Sequence, residues 1–288
     1  MDRLSEIQAR IKDLGELAEV VGAMRSLAAV RVQQARAALP GIRKYTEIVE
    51  GALAQALALE ARPVEPPDPA APPGLSAAIA FTSEQGFVGA FNERVLEKAA
   101  TQLTRPGDLL LVVGSRGAAL AAERRLAVAW TAAMTTHGDG VVEVARGVAQ
   151  EVYRRAGSGD LGHVSLVYAR TAEGATSEVV VTTLLPFDPT PYRSAAASAA
   201  PPPLTNLAPR ELLDRLVDEL VLAELMRAAT ESFAAENGAR LSTMEAAHRS
   251  IDQKLDLLSR DERMRRQDEI TTELLDIVTG AEAVMGQG

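Results

Sequence analysis

Two stretches of the sequence have the residue types and spacing to cradle a phosphate. Gly86-Phe87-Val88-Gly89 and Gly114-Ser115-Arg116-Gly117 each follow an apolar run and precede a helical pattern. Glycine at such a turn lets backbone N–H groups approach an anion at a helix N-terminus, where the peptide dipoles favour negative charge. Neither stretch is a complete fingerprint, because both lack the leading Gly-x and no Gly-x-x-x-x-Gly-Lys-[Ser/Thr] occurs anywhere in the chain. Tight strand-to-helix turns need glycine in any case, so the structural role outweighs a nucleotide site. The three histidines, His137, His163 and His248, stand far apart, and His248 falls on an apolar helical seam, where a packed polar residue that sets register outweighs a metal ligand. No Gly-x-Ser-x-Gly elbow is present, and no carboxylate pair is placed in a cleft by periodicity. Zero cysteines remove thiolate catalysis, disulfides and the usual zinc and iron–sulfur sites. The residues give no sign of catalysis, and neither a metal nor a cofactor is expected.

Charge is more informative. Between Val20 and Lys44 the chain carries Arg25, Arg31, Arg36, Arg43 and Lys44 and no acid. At about 100° per residue, Arg25, Arg36 and Arg43 fall within roughly 20° of one another on a helix. Near the C-terminus, Ser259 to Glu269 holds eight charged residues, among them Arg260, Arg263, Arg265 and Arg266. Both features read either as solvated helix faces or as contacts with acidic groups of a surrounding protein.

The elements that would carry these residues follow from proline placement. All fifteen prolines lie between Pro40 and Pro209, and proline is poorly tolerated inside helices. Both flanks can therefore form helices far longer than three turns. In the first, Leu4, Ile7, Ile11, Leu14, Ala18 and Val21 alternate intervals of three and four; Leu241, Met244, His248, Ile251, Leu255 and Leu258 repeat the pattern in the second. That is a coiled-coil seam, and each flank must bury it against the other or against a partner. A helix from 209 to 284 would be about 110 Å long and would protrude from the central domain.

Between the flanks, apolar β-like runs at Leu75–Thr82, Asp108–Val113, Leu126–Thr131, His163–Arg170 and Glu178–Leu185 alternate with helical patterns near 92–104, after Gly117 and near 141–156. This predicts an α/β domain with a mostly parallel, Rossmann-like sheet. The expected fold class is thus α/β plus a long antiparallel coiled coil of the N- and C-terminal helices. The expected division is an N-terminal helix at 1–60, a Pro/Ala linker at 61–74, the α/β domain at 75–190, a second linker at 191–208 and a C-terminal helix at 209–288.

Length and composition agree. The 288 residues are 47% hydrophobic and 24% charged, enough to bury a sizeable core. The net charge of −9 argues against a nucleic-acid partner. No apolar run of about 18 residues and no leader pattern occur, which reads as a soluble chain, cytoplasmic by default.

The chain resembles the gamma subunit of F-type ATP synthases along its whole length. Arg266-Gln267-Asp268-Glu269-Ile270-Thr271-Thr272-Glu273-Leu274, continuing through Ile277-Val278 to Gly280-Ala281, is similar to the family's Arg-Gln-x-x-Ile-Thr-x-Glu-Leu-x-Glu-Ile-Val-x-Gly-Ala ending. Leu4-x-Glu6-Ile7-x-x-Arg10-Ile11 with Ala23-Met24 resembles its first helix, Gly86-Phe-Val-Gly89-Ala90-Phe91-Asn92 its glycine turn, and Glu236-Asn-Gly-Ala239-Arg240 a further block. The resemblance implies a central rotor shaft with no active site of its own. Such a shaft couples transmembrane ion flow to ATP synthesis or hydrolysis by rotating inside the alpha-beta hexamer. It implies one copy per complex, with the alpha and beta subunits, an epsilon-type subunit and the membrane c-subunit ring as partners. It also implies a peripheral position on the cytoplasmic face of a bacterial inner membrane. By resemblance, Arg266, Gln267 and Thr271 meet loops of beta, Glu273 and Arg240 support the fit, and Met24 packs beside them on the opposing helix with Arg25 next to it. Gly86, Gly89 and Asn92 belong to the α/β-domain turn.

Some positions depart from the family pattern. Glu19-Val20-Val21-Gly22 replaces the usual Lys-Ile-Thr-Lys, placing a glycine inside a helix at a cost of about 1 kcal/mol. Glu262-Arg263-Met264 replaces Tyr-Asn-Arg, and Thr205-Asn206-Leu207-Ala208 stands where a foot on the ring is usual. These changes suit a divergent or alternate complex, including one working as an ATP-driven ion pump. The competing reading is a nucleotide- or small-molecule-binding α/β protein that dimerises through coiled-coil arms.

Overall fold

Alternating residues of one strand facing opposite ways account for the centre of the fold. The computed structural model describes residues 2–59, 74–157, 161–171, 177–192 and 204–285. The linkers expected at 61–74 and 191–208 lie largely outside them. The elements are α1 (Asp2–Leu59), β1 (Leu75–Phe81), α2 (Phe91–Ala100), β2 (Leu109–Val113), α3 (Ser115–Glu123), β3 (Val128–Ala132), α4 (Val141–Gly157), β4 (Leu161–Thr171), β5 (Ser177–Leu185) and α5 (Pro209–Met285). They form two compact units, Met1–Leu27 with Leu241–Gly288, and Ala28–Arg240.

In the larger unit the strand order is β3-β2-β1-β4-β5. The first three pairings are parallel, and β5 closes the sheet antiparallel to β4, so the sheet is mixed. Ala77, Ile79 and Phe81 of β1 face one core with Val148 of α4 and Leu225 and Phe233 of α5. Ala78 and Ala80 face the other, with Val95 and Leu96 of α2 and Ala121 of α3. Helices on both faces explain why β1 reads as a continuous apolar run rather than an alternating one. The strand order reverses between β1 and β4, as in doubly wound folds. Farther along, Val49 and Leu53 of α1 pack on Leu213 and Leu220 of α5, and the Tyr45 hydroxyl donates to Glu219.

In the smaller unit α1 and α5 pair along the expected seam. Val21, Met244 and Ile251 are buried, with Leu14, Met24 and Leu255 packed around them. Gln8 Nε2 donates to Glu262 Oε1 at 2.9 Å, so the helices run antiparallel.

Two element ends differ from the sequence reading, and one proline lies inside a helix. Proline does not end α1: the helix continues through Pro40 to Leu59. Pro40 is exposed, so the carbonyl four residues earlier that loses its N–H partner can be hydrated. Leu126 belongs to the end of α3 and not to β3. Its N–H bonds Ala121 O and that of Arg125 bonds Ala122 O, with Arg125 at φ 58, a left-handed C-cap. Helix α2 stops at Ala100 because Asp108 organises the next residues, its carboxylate accepting from the N–H groups of Thr104, Arg105 and Ser76 at 2.9 Å each.

Candidate functional site

The two glycine turns are stabilised from within. At the start of α3, Glu84 occupies the place an anion would take: its carboxylate accepts from Ser115 N at 3.1 Å and Ser115 Oγ at 2.6 Å, and from Met134 N at 2.7 Å. Gly114 (φ 116) and Gly117 lie so close to Thr82 that a side chain at either would overlap it. Their glycines answer a close approach between backbone and β1, and the helix dipole is met by the chain's own carboxylate.

The Gly86–Gly89 turn is held from two sides. Asn92 Oδ1 accepts from Ser83 N at 2.8 Å and Asn92 Nδ2 donates to Ser83 Oγ at 2.9 Å. From α5, Arg240 Nε donates to Gly86 O at 3.2 Å and Nη2 to Gln85 O at 3.1 Å. Nη2 also reaches Glu236 Oε1 at 2.7 Å, and Nη1 reaches Asn237 Oδ1 at 3.0 Å. Glu236 and Arg240 are each only 3% exposed. Burial pushes the Glu236 carboxyl up to about 6, against the pull of Arg240 and Arg31 and helped by Glu84. Burial, then the Arg240 charge, lowers the Arg31 guanidinium. Above this network Phe87 is 62% exposed. It sits at φ 62, a left-handed conformation costing an L-residue about 1–2 kcal/mol. The cavity beside the turn, ≈160 Å³, is lined by Glu93 and Glu123 as well as Arg116, and two carboxylates repel a phosphate.

In open α/β sheets ligands occupy the crevice where strand order reverses. Here α5 crosses the end of β1, with Ser232 Oγ donating to Phe81 O at 3.0 Å and Ala235 packed in the core.

The C-terminal residues are on an open helix surface. Arg266 is exposed and donates to Glu262 Oε1 at 3.1 Å; Thr271 Oγ1 bonds Gln267 O at 2.8 Å; Gln267 and Glu273 are exposed. Met24 and Arg25 are half-buried, and Met24 packs with Val21 and Met244. Met244 precedes Arg266 by about 33 Å of helix at 1.5 Å per residue. Met24 therefore does not lie beside Arg266, Gln267 and Thr271, because the antiparallel register sets Gln8 opposite Glu262. Arg240 is turned wholly inward. On the basic stripe, Arg43 lies 3.9 Å from Glu231 while Arg36 is exposed. His248 is half-buried, its Nδ1 2.8 Å from Asp252 Oδ2. Thr205 caps a turn into α5, bonding Leu207 N at 3.1 Å.

Sequence reasoning missed the work of Glu84 and Glu236. Glu236 carried a local signal, its i,i+4 spacing to Arg240; Glu84 carried none, since its partners are 31 and 50 residues away. Among the described residues no group of three or more His, Asp or Glu could hold a metal, and no helix is long and apolar enough to cross a membrane.

These features define a class: α/β proteins whose long terminal helices pair with each other, with the switch-point crevice covered by one of them. Comparison with known proteins narrows it. The ATP synthase family model matches residues 3–284, and the chain belongs to that family. It is 29% identical to the ATP synthase gamma chain of Anaeromyxobacter sp. (strain K), covering 99% of this chain and 100% of that one. It is also 29% identical to the gamma chain of Salinibacter ruber (strain DSM 13855 / M31), over 100% of both. Its fold is similar to the rotor of Euglena gracilis mitochondrial ATP synthase, with a TM-score of 0.65 at 13% identity over 93% of this chain and 98% of that one.

Proposed function

We infer that the chain is the gamma subunit, the central-stalk rotor, of an ATP synthase. The observation that carries this reading is the end-to-end match to gamma chains, which takes in both long helices and the sheet between them. The chain acts mechanically: one copy turns within a hexamer of alpha and beta subunits and couples ion flow across the membrane to ATP synthesis or hydrolysis. Coupling of this kind is a free energy carried by an element with several discrete settings.

The partners follow from the reading. Arg266, Gln267, Thr271 and Glu273, with Arg25 on α1, contact beta; their support is exposure or half-burial on the helix surface. An epsilon-type subunit and the c-subunit ring bind the other end, and the complex sits on the cytoplasmic face of a bacterial inner membrane. The division at 1–60, 75–190 and 209–288 separates the helical arms from the α/β domain. The competing reading, a ligand-binding α/β protein, loses support because Glu84 already occupies the anion position at α3.

The test is reconstitution. Purified chain mixed with alpha and beta subunits of its own complex should give an assembly of three alpha, three beta and one copy of this chain by native mass spectrometry, with ATPase activity. A self-associated dimer that takes up neither subunit would overturn the reading.

A further inference from the structure

The Gln85–Gly89 turn projects from the α/β domain, yet its strongest side-chain holder comes from α5. Arg240 gives its two backbone-directed bonds to the Gln85 and Gly86 carbonyls and is itself fixed by Glu236 and Asn237 one turn below. Asn237 is in turn anchored by its Nδ2 on Phe233 O at 2.9 Å. Arg31 of α1 adds a bond to Gln85 Oε1 at 3.4 Å. Glu236, Asn237 and Arg240 are nearly inaccessible to water while Gly86 is half-buried, so the bonds at the centre of the network are not exchanged for water at little cost.

We propose that Glu236 is the positioning residue for Arg240, and that the pair is a mechanical tie fastening the Gln85–Gly89 turn directly to helix α5, in addition to its chain connection to the sheet. This rests on the rotor reading for its purpose: a load on an exposed turn drives a shaft only if it passes into the long helix. The guanidinium suits the task because its rigid fork of five N–H donors meets four acceptors here, the Gln85 and Gly86 carbonyls, Glu236 Oε1 and Asn237 Oδ1, where an ammonium has three donors. One oxygen of Glu236, Oε2, is buried with no partner. That is unusual for a carboxylate kept only for stability, since an unpaired buried acceptor is costly.

The groups facing Glu236 are Arg240 on its own helix, Arg31 from α1 and Glu84 from the β1–α2 connection. A carboxyl that titrates higher in the closed network than in water binds its proton preferentially when the tie is closed. The turn is therefore held more tightly below the window from about 4.5 to about 6 and less tightly above it. The neutral acid still offers Oε1 to Arg240, so closure does not need the charge.

Amide exchange on the full-length chain tests the tie. Ser83 and Phe91 report on the turn, because their N–H groups bond Asn92 Oδ1 and Val88 O. Thr82, bonded to Val113 O, reports on the sheet. Arg240→Lys and Glu236→Leu should speed exchange at Ser83 and Phe91 about ten- to hundredfold with Thr82 unchanged. Glu236→Gln should keep wild-type protection and abolish the protection step between pH 4.5 and 6. Wild-type exchange in Arg240→Lys and Glu236→Leu, or an unchanged pH step in Glu236→Gln, overturns the proposal. In the assembly with alpha and beta, Glu236→Leu should lower torque per hydrolysed ATP while Glu236→Gln restores it. If the variant pulls as hard as wild type, the mechanical role fails. If wild type itself does not assemble, the rotor reading fails, and exchange still decides the tie.

Discussion

Glu151 shows how far a single buried side chain can be read. It lies on α4 with 8% exposure, where an isolated carboxylate would resist ionisation. Arg154 forks onto it through Nε at 2.8 Å and Nη2 at 2.7 Å, and Arg155 Nε reaches it at 2.6 Å. The Arg154 bonds outweigh burial, and with Arg155 they hold the carboxyl down to about 2. A folded-state value below the unfolded one contributes stability that is present above about 4.5 and lost as pH falls towards 2. Thermal melting of the wild type should therefore steepen its decline with pH in that window, and Glu151→Gln should flatten it while lowering stability at neutral pH. Equal slopes in the two proteins would show that the arginines act only as packing. A second residue-scale expectation concerns Gly117. Its Cβ would overlap the Thr82 side chain, so Gly117→Ala should destabilise the α/β unit by about 1–3 kcal/mol in urea.

At the scale of elements, the long helices were legible from seam periodicity and proline placement, and the sheet from apolar runs between turns. Pro40 lies inside α1, within the span of 1–60 expected for that helix. Proline cannot donate to the carbonyl four residues back, and the rule that it ends helices holds when that carbonyl is buried. Here the position is exposed, and the stretch beyond it is held by Val49 and Leu53 against α5. Tertiary packing overrode the local cost. Pro40→Ala should then restore the missing bond and raise stability by about 1–3 kcal/mol. Gly22 differs in kind, since beyond its chain neighbours and the local helix backbone nothing lies within 4 Å of where its Cβ would be. Gly22→Ala should gain about 1 kcal/mol of helix stability, seen as greater helicity by circular dichroism. Loss of helicity would mean that the glycine serves a conformation other than the straight helix. The site was less legible than the elements. The family-like block from Glu236 to Arg240 was visible in sequence, but its inward orientation was not. That orientation depends on the α5 face against which the Gln85–Gly86 carbonyls lie, and no local spacing encodes a partner about 150 residues away.

For the whole molecule, the decisive feature is apolar surface that stays exposed among the described residues. Ile270, Leu274, Ile277 and Val278 recur at helical spacing on α5, each more than half exposed, with Ile277 at 67%. Such a stripe spans about 100° of the helix, and a helix holds an apolar face of this kind only against something. In water each such side chain forgoes about 1.5–3 kcal/mol of burial. The eight charged residues of Ser259–Glu269 interrupt the seam just before it. Intramolecular pairing of α1 and α5 reaches Glu262, which Gln8 contacts, and leaves the apolar surface beyond Glu269 to a partner. Within the rotor reading that partner is the alpha-beta hexamer. The double substitution Leu274→Asp/Ile277→Asp should leave the isolated chain as helical and as thermally stable as wild type, because both positions are more than half exposed. Assembly with alpha and beta should weaken at least a hundredfold in subunit concentration, since two desolvated carboxylates would face an apolar lining. An unaffected assembly would mean that the stripe turns free of contact, and that the hexamer grips the chain elsewhere along α1 and α5. Loss of stability in the isolated chain would mean instead that the stripe is covered by the chain's own residues in solution.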